Sequence, residues 1–147
     1  MARGPLPQAE YEAVYAKVPR LTVEVLITSS DGVLLSKRQS GPCKGLWHLP
    51  GGTVRFGEHL TDAVRRVAQQ ELGLDVCAKD VLGYIEYPSH LELGIDWPVG
   101  IVFGAEPTTA SLKSWWVSVD EIGWFRVLPG NMHDEQILFL RSRALGS

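Results

Sequence analysis

The stretch GGTVRFGEHLTDAVRRVAQQELGL, residues 51–74, sets Gly51 and Gly52 ahead of a basic and polar loop and places Glu71 near the end of an amphipathic helix. At about 100° per residue, Leu60, Ala63, Val64, Val67 and Ala68 form one apolar stripe, with His59, Arg65, Arg66, Gln69 and Gln70 off it. Glu71 falls inside the stripe, beneath Leu60 and Val64, where a bare carboxylate costs on the order of several kcal/mol. A hard divalent cation with oxygen ligands removes that cost. So does a side chain that reaches solvent past the helix end. Arg38, Lys44, Arg55 and Arg66 gather around the same stretch, a local charge that suits a small polyanion better than a long polymer. Together these residue types point to diphosphate chemistry with a metal ion.

The spacing resembles the Nudix signature, G-x5-E-x7-R-E-U-x-E-E-x-G-U with U a bulky aliphatic residue. Gly52, Glu58, Arg66, Ala68, Glu71, Gly73 and Leu74 occupy its positions, and Leu46-Trp47-His48-Leu49-Pro50-Gly51-Gly52 resembles the strand and turn that precede it. The resemblance implies an α/β fold, an α/β/α sandwich with a mixed central sheet. It also implies a metal site in which the motif's glutamates hold Mg²⁺. Two of those three glutamates are replaced here, by Val67 and Gln70, so Glu71 and the backbone carbonyl of Gly51 are the metal ligands that the resemblance leaves. A single Mg²⁺ is the expectation, with Mn²⁺ as the substitute ion.

The reduced motif Arg66-Val67-Ala68-Gln69-Gln70-Glu71-Leu72-Gly73 is similar to that of the GDP-mannose mannosyl hydrolase branch, and the similarity covers roughly residues 6–74. That branch displaces GDP from the anomeric carbon of the sugar, so cationic side chains that stabilise the leaving diphosphate count for more than a full metal cluster. The resemblance gives this task to Arg38 and Arg66, puts Glu24 where the branch has an aspartate facing the site, and brings Arg55 within reach of substrate. Strand alternation independently turns Glu24 away from Leu21, Val23, Val25 and Ile27, towards the side of Thr22 and Leu26. Taken alone, Arg38 at a strand end and Arg66 on a polar helix face are ordinary solvated cations.

The branch's glutamine-histidine pair aligns with Ala110 and Ser111, which cannot serve as ligand or base. The general base then comes from His90, Glu86, Asp96 or His133, the groups that titrate usefully near neutrality. His90 is the first choice, in a loop after a strand. A surface histidine without a role is the plainer alternative, and His133 also suits the first turn of the last helix. Trp47, Tyr84, Tyr87 and Trp97 could stack on a base, Trp47 foremost, although tryptophans in a small α/β domain more often build its core.

These groups need elements to hold them. Patterning predicts helix 7–17, strand 21–28, a turn at Asp31-Gly32, strands 33–38 and 46–49, the motif loop and helix 59–72. Strands follow near 76–87, 98–106 and 113–118, then a helix near 132–144. With 147 residues, 45% hydrophobic and 21% charged, the chain fits one domain over residues 1–147. A net charge of −3 argues against binding a nucleic-acid polymer. The sequence has no apolar run of membrane-spanning length and no signal-peptide core, and Cys43 and Cys77 have no metal-ligand spacing, so a cytoplasmic location is the default expectation. The mannosyl branch further suggests a homodimer. Three functions fit: a hydrolase of a nucleoside diphosphate sugar such as GDP-mannose, a hydrolase of another nucleoside diphosphate derivative cleaving at phosphorus, or a non-catalytic nucleotide- or protein-binding module.

Overall fold

The run TVEVLI, residues 22–27, buries both of its faces, and the rest of the architecture follows from what covers them. A computed structural model of the chain describes residues 3–108 and 121–146. In chain order the elements are α1 (Gln8–Tyr15), β1 (Arg20–Leu26), β2 (Thr28–Ser29), β3 (Gly32–Lys37), β4 (Trp47–His48), β5 (Gly51–Thr53) and α2 (Leu60–Leu72). They continue as β6 (Val76–Glu86), α3 (Pro88–Glu92), β7 (Pro98–Pro107), β8 (Ile122–Phe125) and a last helix, here α4 (Asp134–Ser142).

Strand β1 is central in a mixed sheet ordered β5-β1-β7-β6, parallel to β7 and antiparallel to β5. On one face Val23 and Val25 of β1, with Ile27 just beyond it, pack with Ala63, Val64, Val67, Ala68 and Leu72 of α2. On the other, Leu26 joins Leu35, Ile85, Val102 and Leu140 in a second core under α4. The molecule is therefore an α/β fold with a mixed sheet between helices.

The structure differs from the sequence expectations in three places. Residues 51–53, assigned to the motif loop, form β5, which pairs Glu24 with Gly51 and Val23 with Gly52. The segment after β6, expected as loop, is the short helix α3, opened by Pro88, whose missing N–H costs nothing in a first turn. Strand β3 leaves the mixed sheet for a second, antiparallel sheet with β2, β4 and the unanticipated β8. The strand expected near 113–118 lies outside the described residues.

Two glycines set the position of α2. A Cβ on Gly52 would stand 2.9 Å from Val67 Cγ2, so the helix approaches β5 as closely as only glycine permits. At the other end Gly73 adopts φ 65°, and its N–H and that of Leu74 return to the carbonyls of Gln69 and Ala68. This left-handed cap ends the helix just after Glu71.

Candidate active site

Helix α2 delivers Glu71 to the strand turn, as the apolar stripe requires. Its Oε2 accepts the Gly51 N–H at 3.0 Å and the Ser36 hydroxyl at 3.4 Å. Burial pushes the Glu71 carboxyl up to about 7, against the opposing pull of the Gly51 N–H and of Arg38. Directly across β5, a Cβ on Gly51 would stand 3.4 Å from Glu24 Cγ, so the two carboxylates flank one glycine.

Glu24 is 5% exposed. Its Oε1 accepts from the Tyr87 hydroxyl and, at 3.3 Å, from Gln136 Nε2, which also donates to the Tyr87 oxygen at 2.9 Å. Its Oε2 is buried without a partner among the described residues. Burial pushes this carboxyl up to about 7 as well, with Tyr87, Gln136 and Arg20 opposing the rise and Glu71 adding to it. An orphaned carboxylate oxygen beside a second desolvated carboxylate is the donor set that a hard cation matches. Gly100 makes room for this arrangement, because a Cβ there would meet Glu24 Oε2 at 2.6 Å.

Glu24, Gly51, Tyr87 and Gln136 line a cleft of 170 Å³ with Thr22, Arg38, His48, His90 and His133 on its walls. Arg38 continues into a neighbouring hollow that holds Glu71 and Ser36. It is exposed, without a carboxylate partner among the described residues, and so is available to an anion. His48 Nδ1 lies 2.7 Å from the Leu49 carbonyl, and burial, with Arg38, holds the ring down at about 4. The ring is neutral near pH 7.

Other expected residues stand elsewhere. Arg66 does not face the cleft: its Nε donates to Glu58 Oε2 at 2.8 Å, and its Nη2 donates to Glu58 Oε1 and the Thr53 carbonyl, each at 2.9 Å. Its Nη1 reaches Gln70 at 3.2 Å, which leaves little of the guanidinium for a phosphate. Arg66 thus holds the loop on α2 in this structure, away from the cleft where its expected leaving-group role would place it. Arg55 and Arg66 line a separate groove of 540 Å³ with Tyr11, Tyr15 and Phe56, which meets the cleft at Gly52 and Thr53. Trp47 packs edge-on against Phe125 at 4.8 Å, because alternation along β4 turns His48, and not Trp47, to the cleft. Its expected stacking role is corrected accordingly.

His90 is not a loop residue but a buried member of α3, and its Nδ1 lies 2.9 Å from Asp96 Oδ1. Asp96 also takes Arg20 Nε at 2.7 Å; burial pushes its carboxyl up, but the His90 and Arg20 contacts outweigh this and hold it below the ordinary range. Glu86 is exposed at the end of β6, Tyr84 is 64% exposed, and Trp97 lies in a groove beside α1. Ala110 and Ser111 lie outside the described residues. Sequence reasoning missed His48, Ser36 and Gln136. His48 stood in the segment before the motif and Ser36 in a predicted strand, each a polar side chain at an inward position, whereas nothing local marks Gln136, which is 112 positions from Glu24.

The model of the NUDIX domain matches residues 18–141. The chain belongs to the Nudix family. Among its Nudix relatives, the low-salt glycan biosynthesis protein Agl8 of Haloferax volcanii is 46% identical over 82 residues, 56% of this chain and 53% of that protein. The ADP-ribose pyrophosphatase of Methanocaldococcus jannaschii is 34% identical over 96 residues, 65% of this chain and 56% of that protein. The matches thus span about half the length of either relative. The crystal structure of a MutT Nudix hydrolase from Burkholderia pseudomallei superposes with a TM-score of 0.65 at 25% identity, covering 85% of this chain and 98% of the other.

Proposed function

We propose that this Nudix chain hydrolyses a nucleoside diphosphate sugar of the GDP-mannose type, with one Mg²⁺ or Mn²⁺ held by Glu71 and the Gly51 carbonyl. The observation that carries the reading is the pair of carboxylates, buried Glu24 and half-buried Glu71, flanking Gly51 with Arg38 at the rim. When bound, the cation supplies charge that neutralises the diphosphate. Arg38 binds the same diphosphate and stabilises the charge that develops on it as the glycosyl bond breaks. Glu24, its carboxyl near 7, is half ionised at neutral pH and takes the proton of the attacking water. Glu24 takes the role of base in place of His90, because it adjoins Gly51 and the metal ligand Glu71.

The groove beyond Gly52 and Thr53 supports a nucleotide ligand. It offers the exposed Phe56 ring and Arg55 to a base, while the diphosphate lies in the adjoining cleft. The similarity to a glycan biosynthesis protein supports a sugar nucleotide. A second reading, attack at phosphorus, is favoured by the similarity to an ADP-ribose pyrophosphatase.

Incubation with GDP-mannose and Mg²⁺ in ¹⁸O-water, with products separated by ion exchange, distinguishes the two. The proposal expects GDP and mannose carrying the label. Labelled GMP or labelled mannose 1-phosphate would establish attack at phosphorus, and intact substrate would overturn the assignment of this sugar nucleotide.

A further inference from the structure

A second cluster of ligand-type side chains lies against the cleft but outside the carboxylate site. The Cys43 sulfur and one ring nitrogen each of His90 and His133 all fall within 4.8 Å of one another. Cys43 and His90 are buried, and His133 is half-buried. We propose that Cys43, His90 and His133 form a binding site for one soft divalent ion of the zinc class, with its fourth coordination position open to the cleft.

The donor set decides the class. One thiolate and two imidazoles suit zinc and disfavour Mg²⁺, which takes oxygen ligands. Zinc bonds of about 2.0–2.3 Å in a tetrahedron separate neighbouring donors by roughly 3.3–3.7 Å. The metal-free cluster, within 4.8 Å, is within about 1.5 Å of that, a gap that side-chain rotations close.

The surroundings are built as metal-ligand surroundings are. His90 Nδ1 is paired with Asp96 at 2.9 Å, which leaves Nε2 for an ion, and Asp96 is anchored in turn by Arg20 at 2.7 Å. A carboxylate behind a histidine fixes its tautomer and orientation, the usual support of a zinc-bound imidazole. The Gly/Pro loop that carries Cys43 is tied to the chain just before His133: Asn131 Nδ2 donates to the Gly45 carbonyl at 2.9 Å, and Trp47 N–H donates to the Asn131 carbonyl at 2.9 Å. The Tyr87 ring stands 5.5 Å from the His90 ring and 5.9 Å from the His133 ring, an aromatic wall behind both ligands. His90 and His133 also line the cleft, so an ion there presents its open position to whatever the cleft holds.

A nucleophilic Cys43 activated by His90 and Asp96 is the competing use of the same residues, but it leaves His133 without a role. Burial also pushes the Cys43 thiol up, the opposite of activation.

Titration of the metal-free, fully reduced protein with Co²⁺, followed by absorption, separates these outcomes. The expected result is one Co²⁺ per chain with a thiolate-to-cobalt charge-transfer band in the near ultraviolet and intense visible bands of tetrahedral cobalt, bleached by one equivalent of Zn²⁺. Cys43→Ser should remove the charge-transfer band, whereas Cys77→Ser, at an exposed thiol, should keep it. Asp96→Asn should weaken Zn²⁺ about 10- to 100-fold. Glu71→Gln should retain the band, so loss of the Mg²⁺ site and loss of this site are told apart. Absence of a charge-transfer band in the wild-type protein would overturn the proposal. So would a band that survives in a folded Cys43→Ser variant.

Discussion

At Glu24 and Glu71, burial raises both carboxyls from 4.5 to about 7, which makes the stability of the metal-free protein depend on pH. Below pH 4.5 both the folded and the unfolded chain hold these protons. Between 4.5 and about 7 the unfolded chain releases them while the folded chain keeps them, so stability falls as pH rises through this window and stays low above it. The melting temperature in chelator should therefore drop from about pH 5 to pH 8, and Mg²⁺ should restore part of it at the alkaline end. Glu24→Gln removes a buried charge whose Oε2 has no described partner, and should raise metal-free stability at pH 8 by about 1–3 kcal/mol. The same variant should lose on the order of 100-fold in turnover, because the proton acceptor is gone. A pH-independent melting temperature in chelator would count against two desolvated carboxylates at this site.

The elements around the site are locked by the residues that replace or retain the Nudix motif. Val67, standing where the family carries a glutamate, fills the space over Gly52 with its Cγ2, so the lost ligand position has become packing between α2 and β5. Gly52→Ala should cost about 1–3 kcal/mol by overpacking, and Val67→Ala in the same chain should recover part of it, read as unfolding midpoints in urea. Arg66 and Glu58 clamp the loop between β5 and α2 with side chains that are 19% and 6% exposed. Arg66→Ala leaves Glu58 without that partner and should destabilise by about 2 kcal/mol. Arg66→Lys should not restore the loss, since one ammonium cannot replace a two-pronged guanidinium contact. A large rise in KM without loss of stability would return Arg66 to the ligand.

For the whole molecule, the long periodic segments were legible and the convergence of distant ones was not. Helix α2 and strands β1, β6 and β7 lie close to their expected spans because apolar period and caps are local properties. Glu71 was legible because a carboxylate in an apolar stripe conflicts with its own helix. Glu24 was legible as an alternation site, but its surroundings were hidden: Tyr87, Gln136 and Gly100 reach it from the start of α3, from α4 and from β7. The contact of Arg66 with Glu58 was not legible, because the motif position carries no information on whether the side chain turns to ligand or to Glu58. The short β5 and α3 escaped notice because three and five residues show no period. No described helix is long and apolar enough to cross a membrane. The account as a whole depends on Glu71 and the Gly51 carbonyl binding a hard cation, and Mn²⁺ titration followed by electron paramagnetic resonance tests this most directly. The prediction is one Mn²⁺ per chain, displaced by Mg²⁺, retained in Cys43→Ser and lost in a folded Glu71→Gln variant. Undiminished binding in Glu71→Gln, or no binding in the wild-type protein, would contradict it.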